Sequence, residues 1–348
     1  MKKSILIITQ KVDRNDPVLG FFHQWIIEFS KKIENVYVIC LEKGEYDLPE
    51  NVKVMSLGKE KGVSKIKYVL NFYKYIWKLK KKYKTVFVHM NQEYVLLGGI
   101  FWRLFGKKVL MWRNHPSGSL LTRISVLLSN KVYCTSKDSF TNKFKKTEIM
   151  PVGILLKDFG GDTKRNDKSI LSLGRISPVK NIETIISGFN SILKVHKDAK
   201  LSVVGNPTKR EIDEDYYRVL QTVSSGISPE SIKFIPGVAP YKTAEIFKSH
   251  DLFINATDPG SFDKTILESM YLGTPSFVCQ NIWEGTEFSY LSEYLYFNLK
   301  DAEDLAKKVN SFLSLSSEEK NKIRKDCFNF VKNHHSLGSL VDKVLKEI

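Results

Sequence analysis

Cysteine is scarce in this sequence. The four residues present, Cys40, Cys134, Cys279 and Cys327, lie far apart and mostly inside apolar runs. That spacing suits neither a zinc knuckle nor a disulfide framework, and predicts reduced core thiols. There is no run of eighteen or more uncharged apolar residues, and the apolar segment in MKKSILIITQ is too short for a signal peptide before Lys11 and Asp13. The expected location is therefore the cytoplasm. No Asp-x-Asp pair stands at a strand end; the one match, Asp213-Glu214-Asp215, falls in a polar helical run and reads as a solvated face. A required metal is not expected. No enzyme nucleophile stands out, and no stacked-aromatic motif supports nucleic-acid binding, although the charge alone would permit it.

Carboxylates are also thin in one half of the chain. Met1 to Gly160 carries 29 Lys and Arg against 13 Asp and Glu, leaving 25 of each sign for Gly161 to Ile348. The whole formal charge of +16 thus belongs to the first half. Such asymmetry points to an anionic partner there: a membrane surface, a phosphorylated acceptor or a nucleic acid.

The rest of the composition, 42% apolar and 26% charged over 348 residues, is that of a globular chain large enough for two cores. Short apolar strands alternate with helical runs, which predicts an α/β architecture with parallel sheets covered on both faces. Ser4 to Ile8 begins the first series and Ser169 to Leu173 restarts it after the polar, glycine-bearing stretch KDFGGDTKRNDK. The expected division is 1–158, a hinge at 159–168, 169–325, and a closing helix in 326–348.

In the first half, Ser64 to Tyr83 reads as a basic, aromatic helix. Ile66, Val69, Leu70, Tyr73, Ile76, Trp77 and Lys80 recur at helical spacing and are expected to face the core. The surrounding lysines, with Tyr68, Phe72 and Tyr75, leave a surface suited to anionic lipid headgroups. His89 closes an apolar strand and is expected to be buried and bonded to backbone. His115 follows another strand in a polar turn, open to either a capping or a ligand role.

In the second half, the pattern centres on Asp251 to Pro275. A strand, a polar turn and a helix beginning near Asp263 place unpaired N–H groups beside a strand's C-terminal end, a ready anion site. Glu268 lies about one and a half turns into that helix and can reach sugar hydroxyls. Arg175 and Lys180 stand in a loop after Leu173, where two cations can converge on a diphosphate. FIPGV and the residues after it form a loop whose backbone could meet a flat base.

Three segments, GRISPVKN at 174–181, FIPGV at 234–238 and SFDKTILESMYLGTP at 261–275, resemble the retaining GT-B glycosyltransferases in order and spacing. In the first half the resemblance rests on Gly20, His115 and PVGI at 151–154. It implies two Rossmann-like doubly wound domains facing across a cleft, the second holding a UDP- or GDP-sugar donor and the first a glycan or lipid-linked acceptor. By that likeness Arg175 and Lys180 hold the diphosphate, Glu268 the ribose and Val238 the base. Gly20 lets the diphosphate approach, His115 reaches the transferred sugar, and the backbone from Phe262 through Asp263 and Lys264 to Thr265 completes the anion site, with Gly260 and Ser261 beside it. The family's usual first glutamate falls at Gly260; Asp258 or, preferably, Asp263 supplies a carboxylate in its place. The implied activity is retaining, metal-independent sugar transfer at a membrane's inner face in polysaccharide assembly, with no cofactor beyond the nucleotide-sugar substrate. A nucleotide-sugar epimerase and a non-catalytic or nucleic-acid-binding protein are the competing readings, and GRISPVKN favours transfer.

Overall fold

The structure, a computed structural model, describes residues 4–16, 18–156, 164–208, 210–238, 242–258 and 263–348. Its contacts divide the chain into two compact units, the first comprising the residues up to Leu155 together with Ser336–Ile348, the second running from Leu156 to His335.

The first unit contains β1 (Ser4–Val12), α1 (Phe21–Lys32), β2 (Asn35–Lys43), β3 (Val52–Ser56), α2 (Lys65–Leu79), β4 (Thr85–His89), α3 (Glu93–Leu104), β5 (Lys108–Trp112), α4 (Leu120–Leu128), β6 (Lys131–Cys134) and β7 (Thr147–Ile149). Its strands make one sheet in the order β3-β2-β1-β4-β5-β6-β7, every pairing parallel. Because the crossovers place helices on both faces, the central strands are apolar throughout; Ile5, Leu6, Ile7 and Ile8 are all fully buried. One face packs on α1 through Phe22, Trp25, Ile26 and Phe29. The opposite face packs on Phe72 and Ile76 of α2, Trp102 of α3 and Val126 of α4.

The second unit contains β8 (Asn166–Leu173), α5 (Ile182–Val195), β9 (Lys200–Val204), α6 (Glu211–Ser224), β10 (Ile232–Ile235), α7 (Thr243–Ser249), β11 (His250–Asn255), α8 (Lys264–Tyr271), β12 (Ser276–Val278), α9 (Leu291–Leu295), α10 (Ala302–Leu313) and α11 (Ser317–His334). Its strands form a second parallel sheet, β10-β9-β8-β11-β12. Part of the stretch expected as a hinge is strand, since β8 begins at Asn166. The crossing expected from residue 326 comes later: α11 stays with the second unit, where Phe328 stacks on Tyr271 at 5.3 Å. The final helix, α12 (Leu337–Leu345), belongs to the first unit, its Leu337, Leu340, Val341 and Val344 buried in the same core as α1.

Three side-chain expectations are corrected. In α2 the stripe Ile66, Leu70, Tyr73 and Trp77 is exposed, while Phe72, Ile76 and Leu79 face the sheet. Both stripes have the same helical spacing, so periodicity does not choose between them. The choice falls to Phe72, which meets Tyr94 and Trp102 at ring distances of 5.8 and 5.9 Å. Asp213 is fully buried rather than solvated, held by both nitrogens of an Arg210 fork at 2.9 and 3.1 Å and by the Thr208 hydroxyl. Those donors, Thr208 foremost, hold its carboxyl down at about 2 against the effect of burial. His89 is buried as expected, but its Nδ1 meets the Thr9 hydroxyl at 3.3 Å, not backbone, and its ring stacks on Phe22 at 4.0 Å. The four cysteines are free and buried.

Candidate active site

In an open parallel sheet, ligands bind beyond the C-terminal strand ends where the winding reverses direction. In the second unit that point lies between β8 and β11. A pocket opens there, walled by Gly174 and Arg175 after β8, by Val203 and Val204 at the end of β9, and by Asn255 at the end of β11 with Ala256 and Thr257 after it. Lys180, from a single 3-10 turn over Pro178–Lys180, forms another wall.

The two loops at the pocket's floor are in backbone contact. Gly174 N–H donates to the Val204 carbonyl at 3.0 Å, and Ile176 N–H to that of Asn206 at 3.0 Å. A Cβ on Gly205 would lie 1.9 Å from the Gly174 carbonyl oxygen, so only glycine fits at that position. Asn206 then reaches the next loop, its Oδ1 accepting Gly237 N–H at 3.1 Å. Val238, half-buried, follows directly.

The cations of the pocket behave differently. Arg175 is exposed and makes no ion pair or side-chain hydrogen bond among the described residues. Lys180 is already engaged: its Nζ lies 2.5 Å from Asp263 Oδ2 and 3.2 Å from Thr257 Oγ1. Asp263 in turn caps α8, accepting Thr265 N–H at 3.1 Å and the Thr265 hydroxyl at 2.8 Å on Oδ1, with Asn255 Nδ2 at 3.0 Å on Oδ2. Burial opposes ionisation of this carboxyl, but Lys180 and those hydrogen bonds outweigh it and leave it below the usual carboxylate range. The anion expected at the start of α8 is, among the described residues, the chain's own Asp263 side chain.

Sequence reasoning missed the amides that organise this hub. Asn181 adopts a left-handed backbone at φ 45°, and its Nδ2 donates to the Ala256 carbonyl and to Asp258 Oδ1, each at 2.8 Å. Asn255 Oδ1 accepts Thr257 N–H at 3.1 Å. The signal was present in Lys180-Asn181, since asparagine is among the few residues that enter that backbone region readily. Tyr216 was also missed. Its hydroxyl accepts Ile182 N–H at 2.7 Å and donates to Glu183, occupying the start of α5.

Glu268 is not among the pocket walls. It is about one-third exposed on α8, with Lys264 Nζ 3.4 Å from its Oε1. Burial raises its carboxyl above the ordinary range, with Lys264 opposing. Gly260, Ser261 and Phe262 lie outside the described residues.

Gly20 and His115 belong to the first unit. Gly20 caps α1, and a Cβ there would come within 2.5 Å of the Asp16 carbonyl oxygen, so the loop's own backbone already requires glycine. His115 is exposed after β5; its Nδ1 lies 3.0 Å from the Ser117 amide nitrogen and 3.1 Å from the Ser117 carbonyl oxygen, so either ring tautomer finds a partner there. No group of three or more His, Cys, Asp or Glu suited to a metal occurs among the described residues.

Residues 157–327, nearly all of the second unit, match the model of the glycosyl transferases group 1 family. The second unit carries the likeness to group 1 glycosyltransferases. Over 134 residues, 38% of its length, this chain is 34% identical to alpha-monoglucosyldiacylglycerol synthase of Streptococcus pneumoniae. Over 143 residues, 40% of the chain, it is 27% identical to mannosylfructose-phosphate synthase of Agrobacterium fabrum. The aligned stretches span 29% and 31% of those relatives, under a third of either. In fold the likeness to solved structures extends past the second unit to the whole chain. Anabaena HepE, solved in complex with UDP, superposes with a TM-score of 0.74 at 15% identity over 99% of each chain. The same protein with UDP-glucose gives 0.69 at 15% identity over 99% of this chain and all of that one. The fold is GT-B, an α/β class with two Rossmann-like parallel sheets.

Proposed function

We propose that this protein is a retaining, metal-independent glycosyltransferase that moves a sugar from a UDP- or GDP-sugar to a lipid-linked or membrane-proximal glycan acceptor in cell-surface polysaccharide assembly. The observation that carries the reading is the pocket at the β8/β11 reversal, where Arg175, unpaired among the described residues, stands with Lys180 and close-packed glycine backbone. The UDP and UDP-glucose complexes of the Anabaena protein support the donor class.

In this reading Arg175 binds the diphosphate and stabilises the charge that develops as the bond from the anomeric carbon to the phosphate oxygen breaks. Lys180 supplies a second positive charge, with Asp263 as its positioning residue. The acceptor hydroxyl enters on the face that the diphosphate leaves, its oxygen bonds the anomeric carbon, and its proton passes to the departing phosphate oxygen. Glu268 receives the ribose hydroxyls and Val238 lines the base. Lys264 adds a backbone N–H at the start of α8, where that of Thr265 is already taken by Asp263; Gly260, Ser261 and Phe262, also assigned to the donor, lie outside the described residues. Gly20 and His115 are the donor-site residues proposed in the first unit. No cofactor is required, since the nucleotide-sugar is a substrate. The proposed setting is the inner face of a membrane; among the described residues no helix is long and apolar enough to cross one.

Ligand-induced thermal stabilisation with UDP, GDP, ADP and their sugars tests the donor site. A ligand at 100 times its Kd raises native stability by about 2.7 kcal/mol. One nucleotide should raise the melting temperature of the wild type and leave Arg175→Ala unmoved. No response to any nucleotide from the folded wild type refutes the donor site.

A further inference from the structure

The charge of the first unit is concentrated in one stretch. Lys61 to Lys137 holds 16 Lys and Arg against a single acid, Glu93. That stretch builds α2, α3 and α4, which lie side by side on one sheet face. Their outward faces are apolar. On α2, Ile66, Leu70, Tyr73 and Trp77 fall at i, i+4, i+7 and i+11 and are all exposed. Ile100 and Leu104 continue the surface on α3, with Leu104 80% exposed. Leu121 and Leu127 extend it onto α4.

These residues form one surface rather than scattered side chains. The Trp77 ring lies 5.8 Å from Phe101 and 5.8 Å from Phe105, and the Tyr73 hydroxyl donates to the Leu97 carbonyl at 2.9 Å, tying α2 to α3. Arg103 reaches the Leu127 carbonyl at 3.5 Å, tying α3 to α4. Lys80 Nζ sits 3.4 Å from the Trp77 ring centroid, a long cationic chain laid along apolar surface.

A contiguous apolar surface of this kind marks an interaction site. Its rim decides the occupant. Lys65, Lys67, Lys74, Lys78, Lys81 and Lys82 are exposed around α2, and no acid lies between Lys61 and Gln92. A second copy of the chain would bring two strongly cationic faces together. A bilayer with anionic headgroups matches both the rim and the centre. We propose that the outward face of α2, α3 and α4 docks on an anionic lipid bilayer, with Trp77, Leu70 and Leu104 entering the boundary between headgroups and acyl chains. The surface belongs to the first unit and the donor pocket to the second, so the inference holds whether or not the second unit transfers sugar.

The tryptophans offer a direct readout. Trp25, Trp102, Trp112 and Trp283 are 0–3% exposed, and Trp77 is 55% exposed. Vesicles of phosphatidylglycerol and phosphatidylcholine added to the full chain, without nucleotide, should shift its emission to the blue. Lipids brominated on the acyl chain should quench it, and both effects should disappear with phosphatidylcholine alone or at high salt. Lys74→Glu/Lys78→Glu/Lys81→Glu and Leu70→Ser/Leu104→Ser should each lower vesicle co-sedimentation at least tenfold with an unchanged melting temperature. Three results would overturn the proposal: emission unmoved by anionic vesicles, an equal response to neutral vesicles, or a lipid-free blue shift that grows with protein concentration and so reveals a second copy on the surface.

Discussion

Replacing Lys180 by methionine should destabilise the second unit, chiefly through Asp263. The two charged groups lie 2.5 Å apart with side chains only 20% and 15% exposed. Methionine keeps the length of the stem but removes the charge, so Asp263 retains Asn255 and Thr265 as donors and loses its cation. Breaking a fully buried pair costs about 3–5 kcal/mol, and the remaining donors and partial solvent access reduce this to about 2–3 kcal/mol. For a unit of this size that is a fall of about 4–12 °C in melting temperature. The loss should also depend on pH. Asp263 titrates below its ordinary range in the folded protein, so its contribution is present above the unfolded value and lost as pH falls through the lower folded one. Without Lys180, its largest lowering influence is gone and the carboxyl moves up from its wild-type position. The gap between wild type and Lys180→Met is therefore widest near neutrality and narrows below about pH 4. Adding Asp263→Asn to Lys180→Met should recover most of the loss. Thermal melts of the three proteins across pH measure this; a gap independent of pH, or no recovery in the double variant, refutes the reasoning.

Gly205→Ala should cost about 2 kcal/mol or more, because the new methyl meets the Gly174 carbonyl and displaces the turn carrying Arg175. Both the melting temperature and the nucleotide response should fall, and a variant that keeps both contradicts the close packing. His89, held by burial near a value of about 3, contributes stability above its unfolded value of about 6.5 that is lost as pH falls toward 3. His89→Phe should flatten that acid slope in denaturant midpoints, and an unchanged slope sinks the assignment. Glu268, whose carboxyl titrates above its ordinary range, is favourable to folding below its unfolded value and loses that contribution as pH rises through the folded one. Glu268→Gln should therefore melt at or above the wild type at pH 7 while binding nucleotide more weakly; a lower melting temperature together with unchanged binding overturns both halves.

The strands of both sheets were legible because parallel strands buried on two faces are continuous apolar runs, as in Ser4 to Ile8 and Leu252 to Asn255. The cations of the pocket were legible because the strand end after Leu173 fixes where Arg175 and Lys180 emerge. The pairing of Lys180 with Asp263 was not, since the two lie 83 residues apart and meet only when β8 and β11 become neighbours. Asp213 was misread for a different reason: its partners are local, but polarity suggests solvent where a fork from Arg210 and a hydroxyl from Thr208 allow burial. The face of α2 was undecidable from period alone, since both apolar stripes fit one helix.

The position of α12 has a consequence for how the protein is made. The face of α1 bearing Phe22, Trp25, Ile26 and Phe29 shares a core with Leu340 and Val344, which leave the ribosome only after the whole second unit has been synthesised. At about 5–20 residues per second, that is a delay of roughly ten to forty seconds during which the first sheet is translated but unsealed. The unit translated first is thus completed last, and its basic, aromatic helices wait in that interval beside an open core. A ribosome stalled within the second unit would hold an unfinished first one, a natural client for chaperones, and separate expression of residues 1–155 should give an aggregating fragment.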